Sequence, residues 1–531
     1  MIFYYLTLLL ISVSVNKKRD TSIIFSRIFL LLLIYSILVL INTNYFCKPV
    51  GFYMGLYYIS YISNSFHLLI FILTFIIINF SAFYNRKILS KKLKINKILD
   101  RNLYNFRVVL YKTSKQFKIR EYSLIILFII TGALFLISSN DLISIFLSIE
   151  LQSYGLYIIS TIFRNSELST SAGLTYFLLG SLSSCLILLS SSILYVNSGL
   201  TYFEGLYIIT NISDLVNQAK YTLNWYQPYY LNISLLIFSV GLLFKISAAP
   251  FHFWSPYVYD SIPTLVTTFV AIIPKVSILI IFLELIHSTL TSLSVSNSNW
   301  TISLLISCFL SLIVGTIGGL AQFKIKRLYA YSSISHIGFL LFALCINSLE
   351  STQAFFFYVI QYSISNLNAF IILFSIGVLF YFFNNSNYKH LQEKIYSPIQ
   401  YISQLKGLFF LNSYLSLSLI VTLFSFIGVP PLIGFFGKQM ILSAALDKNF
   451  YFLTIIAILT SVISAVYYLS VIKHIIFDKP DYSHKSSVNL VLASSLTIFI
   501  SIITLIIILY MIIPKEYLNM TNILSQIIFN F

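Results

Sequence analysis

Charge is what this sequence has least of. Only 9% of its 531 residues are Asp, Glu, Lys or Arg, where a soluble domain carries about 25%. An ordinary water-soluble fold is therefore excluded, and a mean hydropathy of +0.90 agrees. Acidic residues are scarcer than basic ones, 16 against 33, leaving a formal net charge of +17. Cysteine is sparse too. Cys47, Cys185, Cys308 and Cys345 are scattered and form no C-x-x-C pair, so a disulfide framework, a zinc site or an iron–sulfur cluster has no support. They read as buried free thiols. There is no P-loop and no G-x-G-x-x-G after a strand, so nucleotide and dinucleotide binding are not indicated, and no histidine pair is placed for haem.

What the sequence has in place of charge is apolar length. Hydrophobic residues make up 58% of it, in runs of about 20, each long enough to cross a hydrocarbon core of about 30 Å. Fourteen spans are expected, near 2–15, 23–43, 58–83, 122–138, 141–163, 171–196, 230–250, 262–287, 299–321, 328–347, 352–383, 407–446, 450–474 and 488–513. The first has no basic segment before it and no small-residue cleavage site after it, so it reads as a retained helix rather than a signal peptide. The abundance of Phe, with 48, and Tyr, with 39, fits translation from an AT-rich genome such as a mitochondrial one.

The basic residues sort by loop. Loops after odd-numbered spans hold 25 Lys and Arg, twelve of them between Arg86 and Arg120; loops after even-numbered spans and the C-terminal tail hold only Lys48, Lys220, Lys448 and Lys515. The positive-inside rule then puts the odd loops on the cytoplasmic or matrix face and both termini on the other. The net charge is mostly this topogenic signal. Nucleic-acid binding by 84–121 is disfavoured, because its basic residues are spaced by apolar ones as in a surface helix; anionic lipid or a neighbouring subunit suits it better.

Two spans must break. Pro250 ends span seven within Ser247–Trp254, and Pro430-Pro431, flanked by Gly428, Gly434 and Gly437, interrupts span twelve. Broken backbone at membrane depth needs protein or a wet cavity to satisfy it. The breaks lie five spans apart. Two five-span units, spans four to eight and nine to thirteen, place them equivalently, and an odd number of spans makes the units inverted, the pattern of a transport path. The alternative is a pair of ordinary proline kinks.

Four ionisable residues sit deep in apolar runs: Glu150, Lys245, Lys275 and Lys438. Each costs roughly 2.5–3.5 kcal/mol or more near mid-bilayer, so residues kept there mark function. Glu150 has Tyr154 and Tyr157 on its helix face; a purely structural ion pair is the other reading. Lys245 lies near the first break, seven residues before His252; snorkelling to an interface is its alternative. Lys275 is about thirteen residues into span eight, beyond easy reach of either interface. Lys438 lies seven residues beyond Pro431. Burial favours a neutral lysine and a nearby carboxylate favours the ammonium, so moving a carboxylate switches a lysine between holding and releasing a proton. His336, in Ser332-Ser333-Ile334-Ser335-His336, is placed to relay protons or simply to pack, and its serines to hold bridging waters. Glu284 and His287 read as interfacial, and His67 has no charged neighbour to argue for.

These residues resemble those of the NADH–ubiquinone oxidoreductase chain 2 family, antiporter-like membrane subunits of respiratory complex I. The resemblance is carried by Ser171–Ser181, by Gly241–Asp260 with Lys245, Pro250 and His252, by Pro274-Lys275-Val276, by Lys326–Gly338 with His336, and by Pro430–Lys438. In order and spacing it covers about 120–480; the first three spans match the fungal and plant-type long form only loosely. It implies that the span-five carboxylate, Glu150, pairs with the span-seven lysine, Lys245. It further implies that Lys275 links two half-channels, that Lys438 leads towards the far side, and that His252 has a family counterpart. It implies too that NADH, FMN, iron–sulfur clusters and ubiquinone belong to partner subunits, with no cofactor or metal in this chain.

The expectation is an all-α polytopic membrane protein with two inverted five-helix repeats containing broken helices: 1–83, three helices; 84–121, a basic matrix-side loop; 122–288 and 289–486, the two half-channels; 487–531, a last helix and tail. Its function is proton translocation in complex I of the mitochondrial inner membrane, with other membrane-arm and accessory subunits and lipids as partners and no nucleic acid. Two alternatives stand: a cation/proton antiporter subunit of the same fold, and a structural subunit that pumps nothing.

Overall fold

A computed structural model of the chain describes residues 22–43, 50–82, 121–163, 166–206, 228–290, 299–383, 399–479, 494–510, 512 and 514–530. The expected span 2–15 and most of loops 84–121 and 197–229 lie outside them. The helices in chain order are α1 (Ser22–Thr43), α2 (Tyr61–Ala82), α3 (Tyr122–Ser138), α4 (Leu142–Thr161), α5 (Glu167–Ser198), α6 (Pro228–Ile246), α7 (Trp254–Ser261) and α8 (Thr264–Leu290). Then come α9 (Asn299–Leu320), α10 (Ile325–Ile346), α11 (Leu349–Phe383), α12 (Ser413–Ile427), α13 (Ile433–Asp447), α14 (Tyr451–Ile476), α15 (Ser494–Leu509) and α16 (Pro514–Asn530). Among the described residues nine helices are long and apolar enough to cross a membrane, and α3, α6 and α12 are shorter apolar ones.

Two elements depart from the all-α expectation and its final tail. An antiparallel hairpin pairs β1 (Val50–Phe52) with β2 (Tyr57–Ile59), strands too short to show as alternation. Beyond α15 the chain turns by 86° into α16. The polar residues Lys515, Glu516, Asn519 and Asn522 keep that segment out of any hydropathy window. It folds because Leu524 and Ile528 bury one face, while the Gln353 amide of α11 donates to the Leu518 carbonyl.

In lipid every backbone polar group must be satisfied within its own segment, which is why long apolar runs become helices. The serines and threonines fit this rule by donating to the carbonyl one turn back, as Ser160 does to Tyr157 and Thr268 to Leu265, both at 2.7 Å. The centre of the molecule is α8, 94% of whose apolar window is buried, beside α10 and α11; α5, at 28%, is peripheral. One correction follows. Cys308 is buried and Cys345 half-buried, but Cys185 is exposed on α5, because the outward side of a membrane helix is as apolar as a core-facing one; Cys47 lies outside the described residues.

The same packing occurs twice. A Cβ added at Gly132 of α3 would meet N, Cα and Cβ of Gln152 at 2.7, 2.9 and 2.9 Å; at Gly315 of α9 it would meet the same atoms of Ser335 at 2.6, 2.9 and 2.9 Å. The sequence offset that carries Gly132 onto Gly315 also carries Gln152 onto Ser335, Gly155 onto Gly338, and its contact Ile129 onto Leu312. It also takes the first residue of α4, Leu142, onto the first of α10, Ile325.

Loop contacts join like with like. Tyr57 bridges Ser139 and Asp141 bridges Tyr202, where turns follow even-numbered expected spans; Lys324 bridges Tyr401, where loops follow odd-numbered ones. Asp260, after the seventh span, likewise binds Lys324, after the ninth.

Candidate functional site

At the first break α6 ends at Ile246, and Ser247 takes a φ of 68°. The Trp254 indole, which opens α7, donates back to the Phe244 carbonyl at 3.0 Å and stacks on Tyr176 at 4.8 Å, so the gap is held by side chains. Lys245 stands in the last turn of α6. Its ammonium lies 3.8 Å from Glu150 Oε1 and donates to the Tyr157 hydroxyl at 3.3 Å, both on α4. The Lys245 and Glu150 side chains are 8% and 12% exposed, which disposes of snorkelling. At 3.8 Å the pair is an ion contact rather than a hydrogen bond. Tyr157 is held by a close approach: a Cβ on Gly180 of α5 would overlap its hydroxyl. Tyr154, the other tyrosine on that stretch, is exposed. His252 lies in the break itself, buried, its ring 4.4 Å from Phe253 and 6.4 Å from Tyr331. It does not continue the face of α6, since that helix has ended.

At the centre Lys275, 1% exposed, follows Pro274 inside α8. Its ammonium donates to Ser333 Oγ of α10 at 3.0 Å and lies 5.5 Å from the Tyr259 ring centroid. Two residues on, Ser277 donates to Gln152 Oε1 at 3.2 Å and so links α8 to the helix of Glu150. His336, one turn beyond Ser333, is buried and shares a hydrogen bond of 2.7 Å between its Nδ1 and the Tyr358 hydroxyl. Its ring meets that of Phe426 at 5.3 Å, and the Phe426 carbonyl accepts from Lys438.

The second break is built differently. Alpha-helix α12 ends at Ile427, where Gly428 takes a φ of +85° and its N–H bonds the Phe424 carbonyl. Lys438 of α13 reaches back over the gap. Its ammonium donates to the Phe426 and Ile427 carbonyls at 2.9 Å each and lies 5.4 Å from the Phe339 ring centroid. A cation at the negative end of a helix is favourable, and here it satisfies carbonyls the break leaves open. Gly434 lets the two half-helices close up, since a Cβ there would overlap the Ser425 carbonyl oxygen.

The six residues singled out in the sequence fall into three groups. Glu150 and Lys245 pair, Lys275 and Lys438 flank His336, and His252 stands apart in the first break. The sequence did not single out Gln152, Tyr259, Tyr358 or Tyr362, whose types are common in apolar runs. Several buried polar atoms beside these groups have no protein partner: Gln152 Nε2, Tyr259 Oη near Lys275, Tyr362 Oη and Nε2 of His336 beside it, and Gln361 Oε1 against Gly437. An unsatisfied buried polar group costs about 1–3 kcal/mol, and water is the partner such groups take. Elsewhere, His67 bonds the Leu134 carbonyl at 3.0 Å, and the His287 ring meets Phe529 of α16 at 5.4 Å.

Residues 139–464, which hold all six, match the family described as NADH:quinone oxidoreductase/Mrp antiporter, transmembrane. The chain belongs to that family. It is similar over its whole length to a relative from Rhizopus oryzae named NADH-ubiquinone oxidoreductase chain 2, at 44% identity with 100% of each chain covered. It is similar as well to NADH-quinone oxidoreductase subunit N of Pelagibacter ubique, 38% identical over 76% of this chain and 78% of that one. Its fold matches a chain of respiratory complex I from Thermus thermophilus with a TM-score of 0.72 at 23% identity, over 98% of this chain and 97% of that one.

Proposed function

We propose that this family member is a membrane-arm subunit of a proton-pumping NADH:ubiquinone oxidoreductase, multi-pass in the mitochondrial inner membrane. Its own task is to move protons between the Glu150–Lys245 pair and Lys438 by way of Lys275 and His336. One observation carries the reading: Lys275 donates to Ser333, one turn before His336, and Lys438 donates to the carbonyl of Phe426, whose ring meets His336 at 5.3 Å, while Lys275 has no carboxylate within ion-pair distance among the described residues. Burying an ammonium without a carboxylate costs more than one hydrogen bond to a hydroxyl returns, so a purely structural role does not account for it. Waters bound to the orphaned polar atoms carry the proton across the gaps. Glu150 holds Lys245 charged when close and releases its proton when it withdraws; His252 serves the exit through the first break. NADH, FMN, iron–sulfur clusters and ubiquinone sit in partner subunits, and this chain holds no cofactor. The other membrane-arm and accessory subunits and the surrounding lipids are its partners.

The organisation belonging to this reading has fourteen spans, both termini at the intermembrane space, and inverted five-span units over 122–288 and 289–486. Two observations support it. The crossing of α3 on α4 recurs at one offset as that of α9 on α10. The bridged loops fall into the two groups that alternate faces.

Lys275→Met in the assembled enzyme tests the function. The protons moved per electron fall while NADH oxidation continues, and an unchanged ratio removes Lys275 from the path. A second reading, cation/proton antiport, is favoured by the family description, which covers Mrp antiporters. It requires that transport at fixed pH rise and fall with sodium or potassium concentration.

A further inference from the structure

The offset that overlays the two helix crossings carries Glu150 onto Ser333. Glu150 stands two residues before Gln152, whose backbone meets Gly132; Ser333 stands two residues before Ser335, whose backbone meets Gly315 in the same way. The two therefore occupy the same point on equivalent helices. Each also faces a buried ammonium: Lys245 approaches Glu150 to 3.8 Å, and Lys275 donates to Ser333 Oγ at 3.0 Å. The two positions differ in chemistry, and in the helix that brings the lysine, α6 for Lys245 and α8 for Lys275. A carboxylate neutralises its lysine, whereas a hydroxyl orients one and leaves its charge in place.

Ser333 is also fixed in direction. Its own proton goes to the Ala330 carbonyl at 2.7 Å, so its lone pairs are the side turned to Lys275. The neighbouring serines take no such part. Ser332 and Ser335 donate to the carbonyls of Tyr329 and Ser332 at 2.9 and 2.8 Å.

We infer that Ser333 is the positioning residue of the central lysine, holding Nζ of Lys275 in line with His336 from the site where the first repeat keeps a carboxylate. The inference rests on the proton-transfer reading above. A hydroxyl there lets Lys275 pass its proton on. A carboxylate there makes a second Glu150–Lys245 pair, and the proton stays.

Sealed inner-membrane vesicles carrying the assembled enzyme test this, with protons moved per NADH oxidised as the readout, a ratio independent of how much enzyme assembles. The set is Lys275→Met, Ser333→Ala, Ser333→Thr and Ser333→Asp. Ser333→Ala and Ser333→Asp are expected to lose as much of the ratio as Lys275→Met, and Ser333→Thr, which keeps the hydroxyl, to retain it. If Lys275→Met lowers the ratio and Ser333→Ala does not, the positioning role is wrong and the proton path stands. If Lys275→Met leaves it unchanged, the path itself is wrong. Poor assembly of Ser333→Ala with a wild-type ratio in what remains makes the serine structural and overturns the proposal.

Discussion

The ammonium of Lys438 closes the end of the half-helix that carries Phe426, donating to its carbonyl at 2.9 Å across the Pro430-Pro431 interruption. The first break holds its lysine the other way. Lys245 precedes the gap and turns to a carboxylate, whereas Lys438 follows its gap and turns to backbone. The two ends of the proposed path thus hold their protons against different partners, one able to change charge and the other not.

Lys438→Met leaves the Phe426 and Ile427 carbonyls without that donor. A buried acceptor so stranded costs about 1–3 kcal/mol. The amides of Gly428 and Val429, which both bond the Phe424 carbonyl, should then exchange hydrogen roughly five- to a hundred-fold faster. Unchanged protection there means the lysine does not hold the break.

Gly180→Ala drives a methyl group into the Tyr157 hydroxyl that receives the Lys245 hydrogen bond. Overpacking of this kind costs about 1–3 kcal/mol. Less assembled enzyme on a blue-native gel is expected, with a lower proton ratio in the enzyme that remains. Tyr157→Leu in the same chain should restore assembly but not the ratio, because the hydroxyl is gone. Full assembly of Gly180→Ala alone refutes the contact.

The helices among the described residues were legible because a lipid-crossing run is bounded by its length, and the buried lysines stood out because so little else in those runs is charged. The rest was hidden for physical reasons. In membranes the inner and outer faces of a helix are equally apolar, so Cys185 could not be told from Cys308. Helix α16 buries only one face and has no apolar run. Ser333 is one serine among three, and the repeated crossing at Gly132 and Gly315 and the bond from Lys275, neither visible in the sequence, separate it from its neighbours.

The end of α14 carries a pH-dependent clasp outside the apolar core. Asp478 accepts from His474 Nδ1 at 2.5 Å, and that hydrogen bond first, with the charges of His474, Lys406 and Lys473, holds the carboxyl below its ordinary value. A depressed carboxyl contributes above its unfolded value of about 3.9 and stops contributing as the pH falls through its folded one. Asp478→Asn should therefore speed exchange of the Phe477 amide, bonded to the Lys473 carbonyl, at neutral pH. The difference from the native chain should vanish below the folded value. A difference that persists there assigns the effect to something other than the charge.

Asp260, at the end of α7, accepts from Lys324 at 2.7 Å and pairs with Arg327 at 3.2 Å, while Lys326 donates to the Ile262 carbonyl at 2.7 Å. This ties the far side of the first break to the start of α10, the helix that holds Ser333 and His336. Its carboxylate is 8% exposed and the two cations 25% and 38%, so the cluster lies between a surface pair, worth about 0–1 kcal/mol, and a buried one, about 3–5 kcal/mol to break. Asp260→Asn should cost about 1–3 kcal/mol on that scale, lower the melting temperature of the purified enzyme and lower its proton ratio. Asp260→Lys with Lys324→Asp should recover part of both. Recovery of the melting temperature without the ratio would mean that the cluster braces the fold and does not align the path.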